Sequence, residues 1–120
     1  MGARAWLREK LSGLPLEHEI DEAGNQWWTL RGASERAVLI GGHIDSVPNG
    51  GWLDGALNVM AGMEVVRRLA EDGEPAATVR LVDWADEEGA HALVNITVVE
   101  SRPCRSIPVA PSPSCASCRS

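Results

Sequence analysis

The sequence predicts an α/β fold: a partial mixed or parallel sheet with flanking helices. Three observations predict it. A short apolar run, AVLIGG at 37–42, is followed by a Gly-rich loop, a long helical pattern and a second β-branched run, ATVRLVDWAD at 77–86. That order is a βαβ unit, which requires parallel pairing of its strands. Upstream, two shorter strand-like runs flank a turn. Hydrophobic residues make up 44% of the 120 and charged residues 23%, the balance of a globular domain.

Each element has a local reason. Residues 3–12 suit a short amphipathic helix, with Trp6, Leu7 and Leu11 on one side and Gly13 as its stop. LEHEI (16–20) reads as a strand, DEAGN (21–25) as a turn, and QWWTLRG (26–32) as a second strand by its aromatic and β-branched content. AVLIGG reads as a buried strand of a parallel sheet. Ala56–Asp72 carries the strongest helical pattern, with Leu57, Met60, Met63 or Glu64, and Val66 in step, Asp54 as a candidate cap and Gly73 as its end.

The chain divides near Ala90. Residues 1–90 read as a folded α/β segment with formal charge −8. Residues 91–120 carry +2, four of the seven prolines, six serines and all three cysteines (Cys104, Cys115, Cys118). This tail is expected to be disordered or to derive from an out-of-frame reading. CASC at 115–118 has the C-x-x-C spacing but no second ligand pair and no helix start, so an incidental pair is favoured over a redox or zinc module.

The net charge of −6, with scattered basic residues, argues against a nucleic-acid partner. No stretch has the apolar length of a membrane span, and the N-terminus lacks a leader pattern, so no membrane association and a cytoplasmic location are expected.

The chemistry concentrates in two places. HIDSVPNGGWLDG (43–55) follows one parallel strand, and DEEG (86–89) follows the next. Ligands of open α/β sheets bind outside the carboxyl ends of the strands, so both segments belong to one rim. Imidazole and carboxylate are good donors for zinc, making His43, Asp54 and Glu88 candidate metal ligands. A carboxylate can also bridge two ions. Asp45, two residues past His43, is placed to accept the second imidazole N–H. Glu87 is a candidate general base for a water molecule. Each has a plainer reading: a polar loop histidine, a solvated acidic run, an Asp that only caps a helix. The combination is more specific than its parts.

That combination also resembles a known family. GGHIDSVPNGGWLDGALNVMAGMEVVRRL followed by VRLVDWADEEGA, with DEAGNQWWTLRG upstream, resembles the N-carbamoyl-L-amino-acid hydrolase and allantoate amidohydrolase branch of the co-catalytic zinc aminoacylase/carboxypeptidase clan. The eleven-residue step from His43 to Asp54, with GG-x-x-DG at its end, is the pattern of the amidase branch. The resemblance spans roughly residues 4–90.

It implies hydrolysis of a C–N bond in a small linear amide or ureido substrate by metal-activated water. His43 would bind one zinc, Asp54 would bridge two, and Glu88 would bind the second. Glu87 would act as base and Asp45 would orient His43. Manganese or cobalt would be alternatives to zinc. The family is homodimeric through a separate domain. That domain, two further ligand histidines and a substrate-binding arginine are expected to be missing from this chain. The alternative is a non-catalytic truncated remnant that associates, if at all, with a partner or with itself.

Overall fold

A computed structural model describes residues 2–90. Its elements run α1 (Ala3–Leu11), β1 (Glu17–Ile20), β2 (Gln26–Leu30), β3 (Ala37–His43), α2 (Ala56–Asp72) and β4 (Thr78–Trp84). The four strands form one mixed sheet in the order β1-β2-β4-β3. β1 and β2 form an antiparallel hairpin, β2 runs antiparallel to β4, and β3 runs parallel to β4. The expected fold class and the expected parallel pair are both present. The tail, with its three cysteines, lies outside the described residues.

The hairpin turn is built by Asp21. Its carboxylate accepts the Ala23 and Asn25 backbone N–H groups at 3.0 and 2.9 Å, the Asn25 amide and the Trp27 indole N–H. This is an Asx-type turn, in which a side chain replaces the missing ladder partner. It fixes the β1–β2 register, with Ile20 opposite Gln26 and Glu17 opposite Thr29.

One face of the sheet holds the core. Trp28 and Leu30 of β2 lie opposite Leu81 and Val79 of β4. They pack with Leu7 and Leu11 of α1 and with Val59 and Val66 of α2 in a single buried cluster. Both helices therefore cover the same face. Burial of such side chains contributes about 1.5–3 kcal/mol each. Gly62 lets α2 approach closely: a β-carbon there would lie 2.7 Å from Leu81 Cδ1.

Three expectations need correction. The AVLIGG strand is not buried: Val38 and Leu39 are each 53% exposed, because among the described residues β3 stands at the sheet edge with only β4 beside it. The buried stripe of α2 is Val59, Gly62 and Val66, whereas Leu57 is exposed. The helical period was legible, but the face it presents depends on where the sheet lies. In α1, Leu7 and Leu11 are buried, while Trp6 is on the margin. Among the described residues, no helix is long and apolar enough to cross a membrane.

Candidate metal centre

His43 ends β3 and pairs in register with Trp84, which ends β4. The loop 44–55 and the segment 85–89 thus leave the sheet side by side, from one rim. The Asp45 carboxylate joins them, its Oδ2 accepting the Glu88 backbone N–H at 3.1 Å.

The rim brings together the three expected ligands. One nitrogen of His43 and one carboxylate oxygen each of Asp54 and Glu88 lie within 4.8 Å of one another. Zinc bonds of about 2.0–2.2 Å need donors roughly 3.5 Å apart, so side-chain movements of about 1 Å would let the three residues meet a cation. His43 is buried, Glu88 is half-buried and Asp54 is exposed. Asp54 is free of the alternative duty of capping α2. Gly55 occupies the N-cap, and no side chain caps the helix.

The histidine is held by its neighbours. Its Nδ1 lies 3.1 Å from the Asp45 carbonyl oxygen and 3.4 Å from Asp45 Oδ1. Asp45 therefore faces Nδ1 with two oxygens, and the closer one belongs to the backbone. With Nδ1–H directed there, Nε2 is the nitrogen left to meet a cation. Glu87 Oε2 stands 3.4 Å from Nε2, on that same side.

Gly55 forms the floor under the imidazole. A β-carbon on it would lie 2.5 Å from His43 Cε1 and closer still to Nε2 and Cδ2. Its φ of 67° with ψ of −47° is also a conformation that side chains disfavour.

The fit to a divalent cation rests on three features. The donor set is one imidazole and two carboxylates, which suits zinc and its first-row neighbours. Asp45 Oδ1 is buried without a hydrogen-bond partner, beside the ring it would orient. The Gly55 cradle is shaped to the ring and to nothing larger. The residues present fit the group.

Known proteins resemble this chain in sequence and fold. The model of peptidase family M28 matches residues 25–107. The chain belongs to peptidase family M28. The match continues past residue 90, where the change in composition suggested an end. This M28 chain is 36% identical over 93 residues to the allantoate amidohydrolase of Bacillus subtilis, covering 75% of itself and 23% of that protein. It is 45% identical over 73 residues to the N-carbamoyl-L-amino acid amidohydrolase of Geobacillus stearothermophilus, covering 58% of itself and 18% of that protein. A hydantoinase/carbamoylase family amidase from Burkholderia ambifaria superposes with a TM-score of 0.66 at 36% identity, covering 72% of this chain and 22% of that one. The chain thus spans about a fifth of the length of the relatives it matches.

One residue near the centre escaped the sequence reading. Asp83 is fully buried on β4, on the same face as Val79 and Leu81. A carboxylate at a core-facing position of an alternating strand was the signal that could have found it.

Proposed function

We propose that the chain carries the metal-binding part of an amidohydrolase site, acting on C–N bonds of small linear amides of the N-carbamoyl-L-amino-acid or allantoate and ureido type. The observation that carries this is the convergence of His43, Asp54 and Glu88 within 4.8 Å on one strand-end rim. The similarity to allantoate and N-carbamoyl-L-amino acid amidohydrolases supports the substrate class.

His43, through Nε2, and the carboxylates of Asp54 and Glu88 would hold zinc, with manganese or cobalt as alternatives. When bound, such an ion supplies a Lewis acid that polarises an amide carbonyl and acidifies water. The three donors would match the number a catalytic zinc site uses if they met one ion, whereas the resemblance divides them between two ions that share Asp54. A second ion, with Asp54 as bridge, requires donors from elsewhere.

Glu87 is the proposed base. Its carboxylate already lies beside Nε2, on the side of the ring where water and substrate would meet the ion, and its side chain is half exposed. It would take the proton from water and return it to the departing nitrogen, so that the leaving amine departs neutral. Asp45 would hold His43 in the Nδ1–H tautomer, through its carbonyl and carboxylate oxygens.

The test is hydrolysis of N-carbamoyl-L-amino acids and of allantoate by the zinc-loaded chain. Glu87→Gln should lower the rate by about 10²–10⁴-fold without weakening zinc binding. Zinc binding with no turnover of any of these substrates would refute catalysis by this chain. It would favour the second reading, a non-catalytic chain that associates through the open β3 edge, where Val38 and Leu39 are exposed.

A further inference from the structure

We infer that Asp83 is a positioning residue for this centre, connecting helix α1 to the His43 loop through one backbone hydrogen bond; the inference rests on the proposed cation site. Asp83 Oδ1 accepts the N–H of Ile44, the residue directly after His43, at 3.1 Å. Its Oδ2 accepts Arg4 Nε–H at 2.8 Å and the Gln26 amide at 3.2 Å. Three donors from three elements therefore meet on one buried carboxylate.

The anchors are themselves anchored. Arg4 also donates to the Gly24 carbonyl at 2.6 Å, and Arg8 donates to Gln26 Oε1 at 3.2 Å. Both arginines sit on α1, which is pinned to the core by Leu7 and Leu11. The same hairpin reaches the other limb of the rim, with Asn25 Oδ1 accepting the Ala85 N–H at 2.8 Å.

The geometry explains why a carboxylate stands at this buried position. At Ile44 the chain leaves the β3–β4 ladder, whose last paired residue is His43. The Ile44 N–H needs an acceptor, and Asp83, opposite Gly42 in the ladder, supplies it from the neighbouring strand. That bond sets the direction in which the chain turns and hence where the His43 ring stands. The pairing with Arg4 is not by itself a reason for the carboxylate, since buried ion pairs contribute little net stabilisation over apolar replacements. The carboxylate serves the loop.

The two oxygens make the claim separable from a stability effect. Asp83→Asn keeps an acceptor for Ile44. The backbone donor cannot turn away, whereas Arg4, partly exposed, and the Gln26 amide can rearrange around the new NH₂ group. Asp83→Leu keeps the branched heavy-atom outline in a somewhat larger side chain and removes both acceptors.

The experiment is Co²⁺ titration of the full chain, read by its visible absorption, with thermal unfolding of each metal-free variant alongside. Asp83→Asn should bind within about threefold of wild type, and Asp83→Leu about tenfold or more weakly, with an altered absorption envelope. If Asp83→Leu does not fold, Arg4→Met/Asp83→Leu, which removes both charges together, is read in its place, and the Asp83→Asn result stands on its own. A purely structural role lowers the melting temperature and leaves the affinity of the folded chain unchanged. That result in the leucine variants overturns the inference, as does a tenfold loss in Asp83→Asn. Failure of the wild-type chain to bind Co²⁺ would instead overturn the cation site itself.

Discussion

Replacing Gly55 by alanine should damage the centre more than the fold, and the structure separates the two effects. The backbone at Gly55 has φ 67° and ψ −47°, outside the regions that residues with a β-carbon favour. Forcing alanine there costs about 1–3 kcal/mol. The new methyl would also sit 2.5 Å from His43 Cε1, with two other ring atoms nearer still. Ordinary carbon contacts begin at about 3.5 Å, so the imidazole must move by about 1 Å or more. A displacement of that size at a metal ligand corresponds to a loss of about 10–100-fold in affinity. Gly73→Ala is the control. Gly73 has φ 104° and ψ −152° and no atom within 4 Å of its virtual β-carbon. It meets the backbone cost without the clash. Urea unfolding and Zn²⁺ calorimetry on both variants make the comparison. Gly55→Ala should lose at least as much stability as Gly73→Ala, because the clash adds to the backbone cost, and only Gly55→Ala should lose affinity. Equal affinities in the two variants would refute the reasoning.

Three further outcomes are expected. Gly62→Val should destabilise by about 1–3 kcal/mol, because its β-carbon alone would meet Leu81 Cδ1 at 2.7 Å; an unchanged urea midpoint would contradict the helix–sheet contact. Burial pushes the Asp21 carboxyl up, but hydrogen bonds from Trp27, Asn25 and Ala23 outweigh it and leave its pKa below the ordinary 3.8. The stability this adds is complete above that ordinary value and is lost as pH falls through the lowered folded-state value. Asp21→Ala should therefore cost about 1 kcal/mol at pH 7, after allowing for solvent screening, and progressively less in acid; a gap that persists in strong acid would contradict this. Leu39→Lys on the open edge should change stability by less than about 0.5 kcal/mol and reduce self-association measured by sedimentation; unchanged association would remove the edge from consideration.

The elements whose local chemistry was self-sufficient were legible in the sequence. The DEAGN turn needed only its aspartate, and α2 runs over the expected Ala56–Asp72. The rim was legible because the strand–loop–helix–strand order dictates that two parallel strands end together, whatever packs around them. What was not legible depends on partners distant in sequence. Whether AVLIGG lies inside a sheet or at its edge is decided by the strand beside it, and the described residues supply only β4. The rotation of α2 about its axis follows from the closeness Gly62 allows, a contact with β4 that periodicity does not encode. Asp54 read by itself suited capping first and ligation second, and the unusual backbone of Gly55 separates the two by taking the N-cap itself. The hydrogen bond from His43 Nδ1 to the Asp45 carbonyl could not be read from residue types, since every residue has a carbonyl.

The central claim is that His43, Asp54 and Glu88 form one cation site, and the most direct test is the stoichiometry and affinity of Zn²⁺ or Co²⁺ binding to the chain. Wild type should bind one ion at this site per chain. His43→Ala, Asp54→Ala and Glu88→Gln should each abolish or severely weaken that binding while remaining folded in the absence of metal. A wild-type chain that binds no divalent ion, or three variants that bind it as wild type does, would contradict the account.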